Sequence, residues 1–343
     1  MHGVKRAKLT PQALEARKQK ERAKIQEFLA LSEEILQRKQ DKDYSEEAFK
    51  QTTRLLAINP EFYTVWNYRR AILLDGLFTG SSVEQINKLL AKELEMTMIA
   101  LKSHPKVYWI WNHRRWCLEH VPNGPGEEGA EDSLAWKKSA WDQELYVVER
   151  LLDADARNFM AWNYRRYVLA SMPVPRPDTA ELAYTSKKIQ ANFSNFSAWH
   201  QRSKVLPKLW ASGALNEAKS REEEFDLVRN AMYTDPDDQS VWVYHRWLVG
   251  SSASRDLLER EIQAIEELLG EQPDSKWCME SIVHYVMMLL KNHSSGVNAA
   301  QLTGKARQLL GQLEDLDPYR RHRYRDLGQS SNPNLLWDAL TPG

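Results

Sequence analysis

The stretch Lys106–Trp116 reads Lys-Val-Tyr-Trp-Ile-Trp-Asn-His-Arg-Arg-Trp and directly follows His104-Pro105. It contains a composite pattern: a proline turn, an aromatic residue three positions later, a tryptophan three positions further on, and then arginine. The pattern recurs along the chain, and repeats of this size indicate supersecondary units that stack on one another. The clear copies are centred on Trp66, Trp111, Trp162, Trp199 and Trp242.

Each copy predicts a hairpin of two helices. In the first copy, four residues recur at helical spacing and predict one stripe, namely Tyr63, Trp66, Arg70 and Leu73. This helix is expected to begin at Asn59-Pro60, because asparagine can cap free N–H groups and proline needs none there. A second amphipathic segment ends near Asn59 and predicts the first helix of the pair. One hairpin cannot bury its apolar stripe alone, so neighbouring hairpins are expected to stack.

The motif residues themselves have predicted structural roles. The five tryptophans are assigned to the core between helices. Arginine forms planar, bidentate pairs with carboxylates, which suits interior positions. The arginines assigned to such structural ion pairs are Arg69, Arg114, Arg165 and Arg202. No segment predicts a strand convincingly, and the predicted fold class is therefore all-α, a solenoid of helical hairpins.

Composition excludes several classes of protein. The 47 lysines and arginines balance 47 aspartates and glutamates, so bulk attraction to nucleic acid or to a membrane surface is not indicated. No apolar run is long enough to span a bilayer, so no stable membrane insertion is expected. Cys117 and Cys278 cannot make a disulfide framework, which fits a reducing, cytoplasmic compartment. His113 and His120 are interpreted as structural. No metal-binding, phosphate-loop or nucleophile motif is present in the sequence, so no self-contained active site is predicted.

Three regions are predicted along the chain. Residues 1–44 form a basic segment and a first long helix, which Thr10 caps. Residues 45–327 form the solenoid, with about five clear repeats and two degenerate ones at Pro273/Trp277 and at Asp317-Pro318/Tyr324. Residues 328–343 form a C-terminal tail, in which Leu335, Leu336 and Trp337 are the residues expected to anchor it. The first helix is expected to close the first hairpin through Ile25, Phe28, Leu29, Ile35 and Leu36. Breaks between helices are expected at residues 122–132, 172–178, 206–214, 250–254 and 292–297.

The run from Pro105 to Arg115 resembles the signature repeat of protein prenyltransferase α subunits. Five copies of a composite motif make the resemblance specific, and it covers residues 45–327. It implies a right-handed, superhelical α–α solenoid with a crescent shape that wraps a β subunit in an obligate heterodimer. The β subunit is an α–α barrel that carries the zinc and most of the lipid pocket. The resemblance therefore implies no metal site in this chain.

Within this family, Asn192–Trp199 and Tyr233–Trp247 resemble the α subunits of Rab (type II) geranylgeranyltransferases, in the short form without immunoglobulin-like and leucine-rich-repeat domains. Trp109 stands where CaaX-type enzymes typically have a glutamine that helps to hold the terminal carboxylate of the peptide. The resemblance implies transfer of geranylgeranyl from geranylgeranyl diphosphate to C-terminal cysteines of Rab GTPases, which an escort protein presents. The alternatives are the shared α subunit of farnesyltransferase and geranylgeranyltransferase type I, or a non-catalytic helical-repeat scaffold.

The resemblance also implies the candidate site. Lys106 matches the family lysine that reaches the isoprenoid diphosphate, and an ammonium group in a drier interface would stabilise that leaving group during catalysis. Tyr108 and Phe159 match positions that line the edge of the lipid diphosphate pocket. Met160 stands where the family often has a histidine facing the diphosphate. From the residues alone, Lys106 has the simpler interpretation of a solvated lysine at the start of a helix.

Overall fold

The computed structural model describes residues 10–125 and 131–329, and within these ranges it contains helices but no strand, which confirms the predicted all-α class. In chain order the α-helices are α1 Pro11–Gln40, α2 Glu46–Ile58, α3 Tyr63–Ala71, α4 Val83–Ser103, α5 Tyr108–Glu119, α6 Ala135–Ala154, α7 Phe159–Ser171, α8 Asp178–Ala191, α9 Phe196–Ala211, α10 Glu217–Thr234, α11 Gln239–Val249, α12 Arg255–Glu271, α13 Lys276–Asn292, α14 Ala299–Leu316 and α15 Arg321–Gln329. The shorter segments are π-helical at Ile72–Leu77 and 3-10 helical at Glu131–Leu134, Ser294–Gly296 and Pro318–Arg320.

Several sequence predictions lie outside the described residues. They concern the basic residues 1–9, the middle of the acidic loop at 126–130, and the tail from residue 330 with Leu335, Leu336 and Trp337. Among the helices that the structure describes, none combines the length and the apolar character needed to cross a bilayer.

From α2 onwards, consecutive helices pair as hairpins, and the two helices of each pair contact each other. Hairpin 1 is α2–α3, and the series continues in order to hairpin 7, which is α14–α15. The chain divides into two compact units, residues 1–175 with α1 and hairpins 1 to 3, and residues 176–343 with hairpins 4 to 7. The repeat pattern of the sequence therefore corresponds to helical hairpins in both units.

One hydrogen bond recurs at the turn of each of the first five hairpins. The indole N–H of the motif tryptophan donates to the carbonyl oxygen six residues earlier, at 2.6 to 3.0 Å. The pairs are Trp66 with Pro60, Trp111 with Pro105, Trp162 with Ala156, Trp199 with Phe193 and Trp242 with Pro236. Each of these tryptophans is at most 2% exposed, so their assignment to the core is confirmed. The bond gives a physical reason for the six-residue spacing between turn and tryptophan.

The second helix of a hairpin begins later than the sequence predicted. In hairpin 1, α3 begins at Tyr63 and not at Asn59-Pro60. The Asn59 side chain instead accepts the backbone N–H of Glu61 at 3.1 Å, within the turn that follows α2. Tyr63 is exposed, and the buried residues of α3 begin at Val65 and Trp66. The prediction was wrong here because the carbonyl of Pro60 bonds to the indole of Trp66 and the chain turns before it becomes helical.

The motif arginines form the predicted ion pairs. All four are buried. Three of them donate two guanidinium hydrogen bonds each to a glutamate on the first helix of the next hairpin. These pairs are Arg69 with Glu93, Arg114 with Glu144 and Arg202 with Glu224. The same guanidinium groups also donate to a threonine of their own hairpin, namely Thr52, Thr97 and Thr185 respectively. Arg165 pairs with Glu149 at 3.1 Å. Each of the three pairs therefore links successive hairpins through a satisfied, buried contact.

The first helix, α1, has the predicted cap, since Thr10 Oγ1 accepts the N–H of Ala13 at 3.3 Å. Its packing differs from the prediction, because Ile25 and Leu29 are more than half exposed. The buried residues of α1 are Leu31, Ser32 and Ile35. The reason is length: α1 has 30 residues and α2 has only 13, so α1 is longer than its partner by nearly five turns.

One predicted break and the degenerate repeats also differ in detail. The break expected at 206–214 starts later, because α9 continues through Pro207 to Ala211. Leu206 and Leu209 are buried there, and this burial offsets the hydrogen bond that proline cannot make. The two degenerate repeats form real hairpins, α12–α13 and α14–α15, and in the last one the buried Tyr324 bonds to Glu280 and Asp317.

Candidate functional site

Lys106 lies in the turn between α4 and α5. The helix α4 ends at Ser103, α5 begins at Tyr108, and the residue between turn and helix, Val107, supplies no side-chain cap. Lys106 is exposed, and within the part of the chain that the structure describes it has no hydrogen-bond or ion-pair partner. Its ammonium group is therefore available to an external anion.

Tyr108 and Phe159 occupy the same position in successive hairpins, the first residue of the second helix. Each side chain is 56% exposed, so neither is a core residue. The equivalent residues Tyr63 of α3 and Phe196 of α9 are also exposed. The helix starts therefore present a series of large aromatic rings that the hairpins themselves do not bury.

A hydrogen bond between two turns brings the predicted site residues of unit 1 together. Asn158 precedes α7, and its Nδ2 donates to the carbonyl oxygen of Pro105 at 3.4 Å. Its Oδ1 accepts the backbone N–H groups of Met160 and Ala161, which caps α7. Asn158 is buried, so the turns of hairpins 2 and 3 are held side by side. Sequence reasoning missed this residue, although asparagine just before a helix is an N-cap signal.

Two positions at which this chain departs from the family pattern have clear structural places. Trp109 is half-buried, and its ring packs against that of Tyr63 with centroids 5.3 Å apart. Met160 is buried, so its side chain does not join the exposed surface around Lys106. Neither position offers the carboxamide or imidazole group that the family typically has there.

The repeat itself distinguishes Lys106 from its equivalents. Lys106 lies two residues before the first residue of α5. The residue at the same position of each of the seven hairpins is exposed or half-buried. In order along the chain this position holds Glu61, Lys106, Arg157, Ser194, Asp237, Asp274 and Tyr319. Basic residues occur there only in hairpins 2 and 3, and these are the two hairpins whose turns Asn158 joins.

A second cluster of ionisable groups lies inside the same unit. His113 Nε2 and Glu93 Oε2 are 2.9 Å apart, and both residues are buried. Burial lowers the pKa of His113 to about 4. Burial alone would raise the pKa of Glu93, but hydrogen bonds from Arg69 and His113 lower it to about 2. At neutral pH the cluster is thus a neutral histidine and an ionised glutamate, and the structural interpretation of His113 is confirmed by its burial.

The repeats match a known family. Residues 45–75, 90–121, 141–172, 178–209 and 221–252 each match the protein prenyltransferase alpha subunit repeat. Over 97% of its length the chain is 38% identical to the geranylgeranyl transferase type-2 subunit alpha of Schizosaccharomyces pombe, of which 99% is covered. The chain belongs to the protein prenyltransferase α-subunit family.

Other relatives of this prenyltransferase α subunit carry the same description. The Saccharomyces cerevisiae protein is 35% identical over 95% of this chain and 98% of its own length. The human protein is 36% identical over 75% of this chain, and the match covers 43% of that longer relative. The predicted family, the five clear repeats and the predicted class of prenyl-transferring enzyme are therefore confirmed.

A solved structure has the same fold. The α–α architecture is similar to that of the Candida albicans protein geranylgeranyltransferase-I complexed with GGPP, with a TM-score of 0.65 and 20% identity. The similarity covers 89% of this chain and 90% of that one. The solenoid class of this prenyltransferase α subunit, predicted from its repeats, is thereby confirmed at the level of the fold.

Proposed function

We propose that the chain is the α subunit of a cytoplasmic heterodimer that attaches geranylgeranyl groups to Rab GTPases. In this proposal the lipid comes from geranylgeranyl diphosphate, and an escort protein presents the C-terminal cysteines of the GTPase. The descriptions of relatives that match nearly the whole chain support the type-2 activity. Trp109, an aromatic residue packed on Tyr63 where CaaX-type enzymes typically have glutamine, supports a substrate that is not recognised as a CaaX box.

The partner is a β subunit, and the exposed rings at the helix starts support such a partner. Tyr63, Tyr108 and Phe159 are large apolar side chains that the described part of unit 1 leaves accessible. Exposed apolar side chains are typical of interaction sites when they lie together, and obligate interfaces are large and apolar. We assign Tyr108 and Phe159 to the edge of the lipid diphosphate pocket, where they would contact both partner and lipid. The β subunit would hold the zinc, which when bound favours the thiolate form of the acceptor cysteine.

The chemistry that we assign to this chain is stabilisation of the leaving group. During transfer, a bond forms between the cysteine sulfur and C1 of the geranylgeranyl group while the bond from C1 to oxygen breaks. The bonding electrons leave with the diphosphate, whose negative charge grows. A positioned ammonium group stabilises this charge more in the transition state than in the ground state. The observation that carries the assignment is that Lys106 is exposed, lacks a partner among the described residues, and lies at one of two basic turns.

Reconstitution with candidate β subunits tests the proposal. The chain alone is expected to aggregate or to express poorly, because the exposed rings at its helix starts are uncovered, and co-expression with the correct β subunit should rescue it. The heterodimer should then prenylate a double-cysteine GTPase presented by its escort protein, and it should leave a CaaX peptide unmodified. Transfer to the CaaX peptide alone would support the shared α subunit instead. A well-behaved monomer that binds no β subunit would support the scaffold alternative.

A further inference from the structure

Arg157 is the equivalent of Lys106 in the next hairpin. Both residues immediately precede the residue before the second helix of their hairpin, and both side chains are exposed. The equivalent positions in the other hairpins hold acidic, hydroxyl or aromatic side chains. Basic residues at two successive turns, and at none of the other five equivalent positions, indicate a local role in binding an anion, because the buried tryptophan bond is the same in hairpins 1 to 5 with and without them.

The two cations are held close together by the bond between the turns. Lys106 directly follows Pro105, whose carbonyl oxygen accepts from Asn158, and Arg157 directly precedes Asn158. Since adjacent Cα atoms are about 3.8 Å apart, the Cα atoms of Lys106 and Arg157 lie within roughly 14 Å of each other. Lysine and arginine side chains are long enough to contact one diphosphate group that lies between these two Cα atoms.

We propose that Arg157 is a second ligand of the isoprenoid diphosphate, and that it acts mainly in binding while Lys106 acts in the chemical step. The inference rests on the proposed function of Lys106 and extends it to a second residue. The guanidinium is planar and offers a fork of N–H donors that fits two phosphate oxygens at once. It is therefore suited to orient a diphosphate already present in the ground state. The compact ammonium of Lys106 is suited to the single oxygen at which charge develops.

The experiment uses the full-length chain with its β subunit and compares Arg157→Ala, Arg157→Lys and Lys106→Ala. Affinity is measured for geranylgeranyl diphosphate, for inorganic diphosphate as a competitor, and for geranylgeraniol, which lacks the diphosphate. Arg157→Ala should weaken binding of both diphosphates about tenfold, as loss of a charge-assisted hydrogen bond does. It should leave geranylgeraniol binding unchanged and slow single turnover at saturating lipid less than threefold, whereas Arg157→Lys should recover part of the affinity.

A control arginine lies in the same hairpin. Arg150 of α6 is exposed and pairs with Asp153 at 3.3 Å, so Arg150→Ala removes a surface charge of the same kind away from the turn. It should change none of the three affinities. Equal diphosphate affinity in Arg157→Ala and wild type would overturn the inference, and so would an equal loss of geranylgeraniol binding, which would indicate a structural role. If the wild-type heterodimer binds no geranylgeranyl diphosphate, the proposed function itself fails.

Asn158 provides an independent test of the geometry. Asn158→Ser keeps a side-chain oxygen that can cap α7, but serine is too short to donate to Pro105 as the amide does. The substitution should weaken diphosphate binding by less than Arg157→Ala does. Combined with Arg157→Ala it should add little, because both changes remove the same contact. Full additivity of the two effects would contradict the assignment of Asn158 as the residue that positions Arg157.

Discussion

Hairpin 2 and hairpin 5 close their turns with the same bond, from a buried tryptophan to the carbonyl oxygen six residues earlier. At the exposed position after the turn, however, hairpin 2 has Lys106 and hairpin 5 has Asp237. The first helical residue also differs, since Tyr108 is an aromatic ring and Gln239 is polar. The comparison indicates that the buried positions of the repeat maintain the fold, while its exposed turn positions are available to differ in function.

The two hairpins also differ at the third residue after the tryptophan, which is Arg114 in hairpin 2 and His245 in hairpin 5. Both residues nevertheless bond to a buried glutamate. Arg114 bonds to Glu144, and His245 Nε2 lies 3.0 Å from Glu261 Oε2, and in both cases the glutamate belongs to the next hairpin. Burial lowers the pKa of His245, which favours the neutral ring. The link between hairpins therefore requires a hydrogen-bond donor at this position and does not require a positive charge.

The largest expected effect is at the shared tryptophans. Trp111→Ala and Trp242→Ala should each lower the free energy of unfolding by about 3–5 kcal/mol, as deletion of a large buried ring does. Heterodimer yield and melting temperature should fall together in both variants. Trp109→Ala, which removes a half-buried ring beside Trp111, should have a smaller effect. If Trp111→Ala assembles and melts like the wild type, the assignment of the motif tryptophans to the core is wrong.

In hairpin 2, the ion pair of Arg114 with Glu144 should contribute nearly as much to stability as Trp111 does. Arg114→Ala leaves Glu144 buried without its guanidinium partner, which should cost about 3 kcal/mol. Its neighbour Arg115 is exposed and stacks over Tyr167 with the guanidinium carbon 4.0 Å from the ring centroid. Arg115→Ala should therefore cost only about 0.5–1 kcal/mol. Urea unfolding of the two variants separates these outcomes, and equal losses would contradict the structural role of the buried pair.

Acid should destabilise the protein through the buried histidines. The pKa of His113 falls from 6.5 to about 4 on folding, so between these values the unfolded state binds more protons. Stability should therefore be complete above pH 6.5 and decrease as pH falls, by up to about 1.4 kcal/mol per pH unit. Glu93, with a pKa lowered from 4.5 to about 2, continues the loss below pH 4.5.

Substitution of the histidines separates their contribution to the pH dependence of stability from that of the carboxylates. Unfolding free energies measured from pH 7 to pH 4 should show a smaller slope in His113→Gln than in the wild type, and His245→Gln should change the slope in the same direction. An unchanged slope in both variants would indicate that folding does not lower the pKa of these histidines.

The smallest expected effect is at the turn of hairpin 5. Asp237→Lys places a cation at the position equivalent to Lys106, in a hairpin to which we assign no contact with the diphosphate. Because Asp237 is exposed, stability should change by less than about 0.5 kcal/mol, and lipid affinity and transfer rate should stay the same. A gain in diphosphate affinity would show that any basic turn suffices, which would remove the distinction between the hairpins.

The sequence predicted the buried part of the repeat well because that part obeys helical spacing. Trp66 and Arg69 lie one turn apart and enter the same interior, as predicted. The start of α3 was misplaced because the indole of Trp66 takes the carbonyl of Pro60, a bond that no local propensity signals. The exposure of Ile25 and Leu29 depends on the length of the neighbouring helix α2, which their own periodicity does not contain.

The site was less accessible to sequence reasoning. The role proposed for Lys106 came from family resemblance, since its residue type and exposure alone describe a solvated lysine. The link from Asn158 to Pro105 joins residues 53 positions apart, and such a contact requires the folded structure. Basic residues occur at this turn position only in hairpins 2 and 3, and this can be seen in the sequence. That the two turns lie side by side can be seen only in the structure, through the bond from Asn158.

The most direct test of the proposed chemistry is single-turnover prenylation of a double-cysteine GTPase by the purified heterodimer with its escort protein. Lys106→Ala should leave the heterodimer intact, weaken lipid diphosphate binding only modestly and slow transfer about a hundredfold or more. Lys106→Arg should recover only part of the rate, because a planar fork replaces a compact charge. Lys102→Ala, which removes an exposed lysine of α4, should transfer at the wild-type rate. Wild-type transfer by Lys106→Ala would contradict the account and leave Lys106 a solvated residue at the start of a helix.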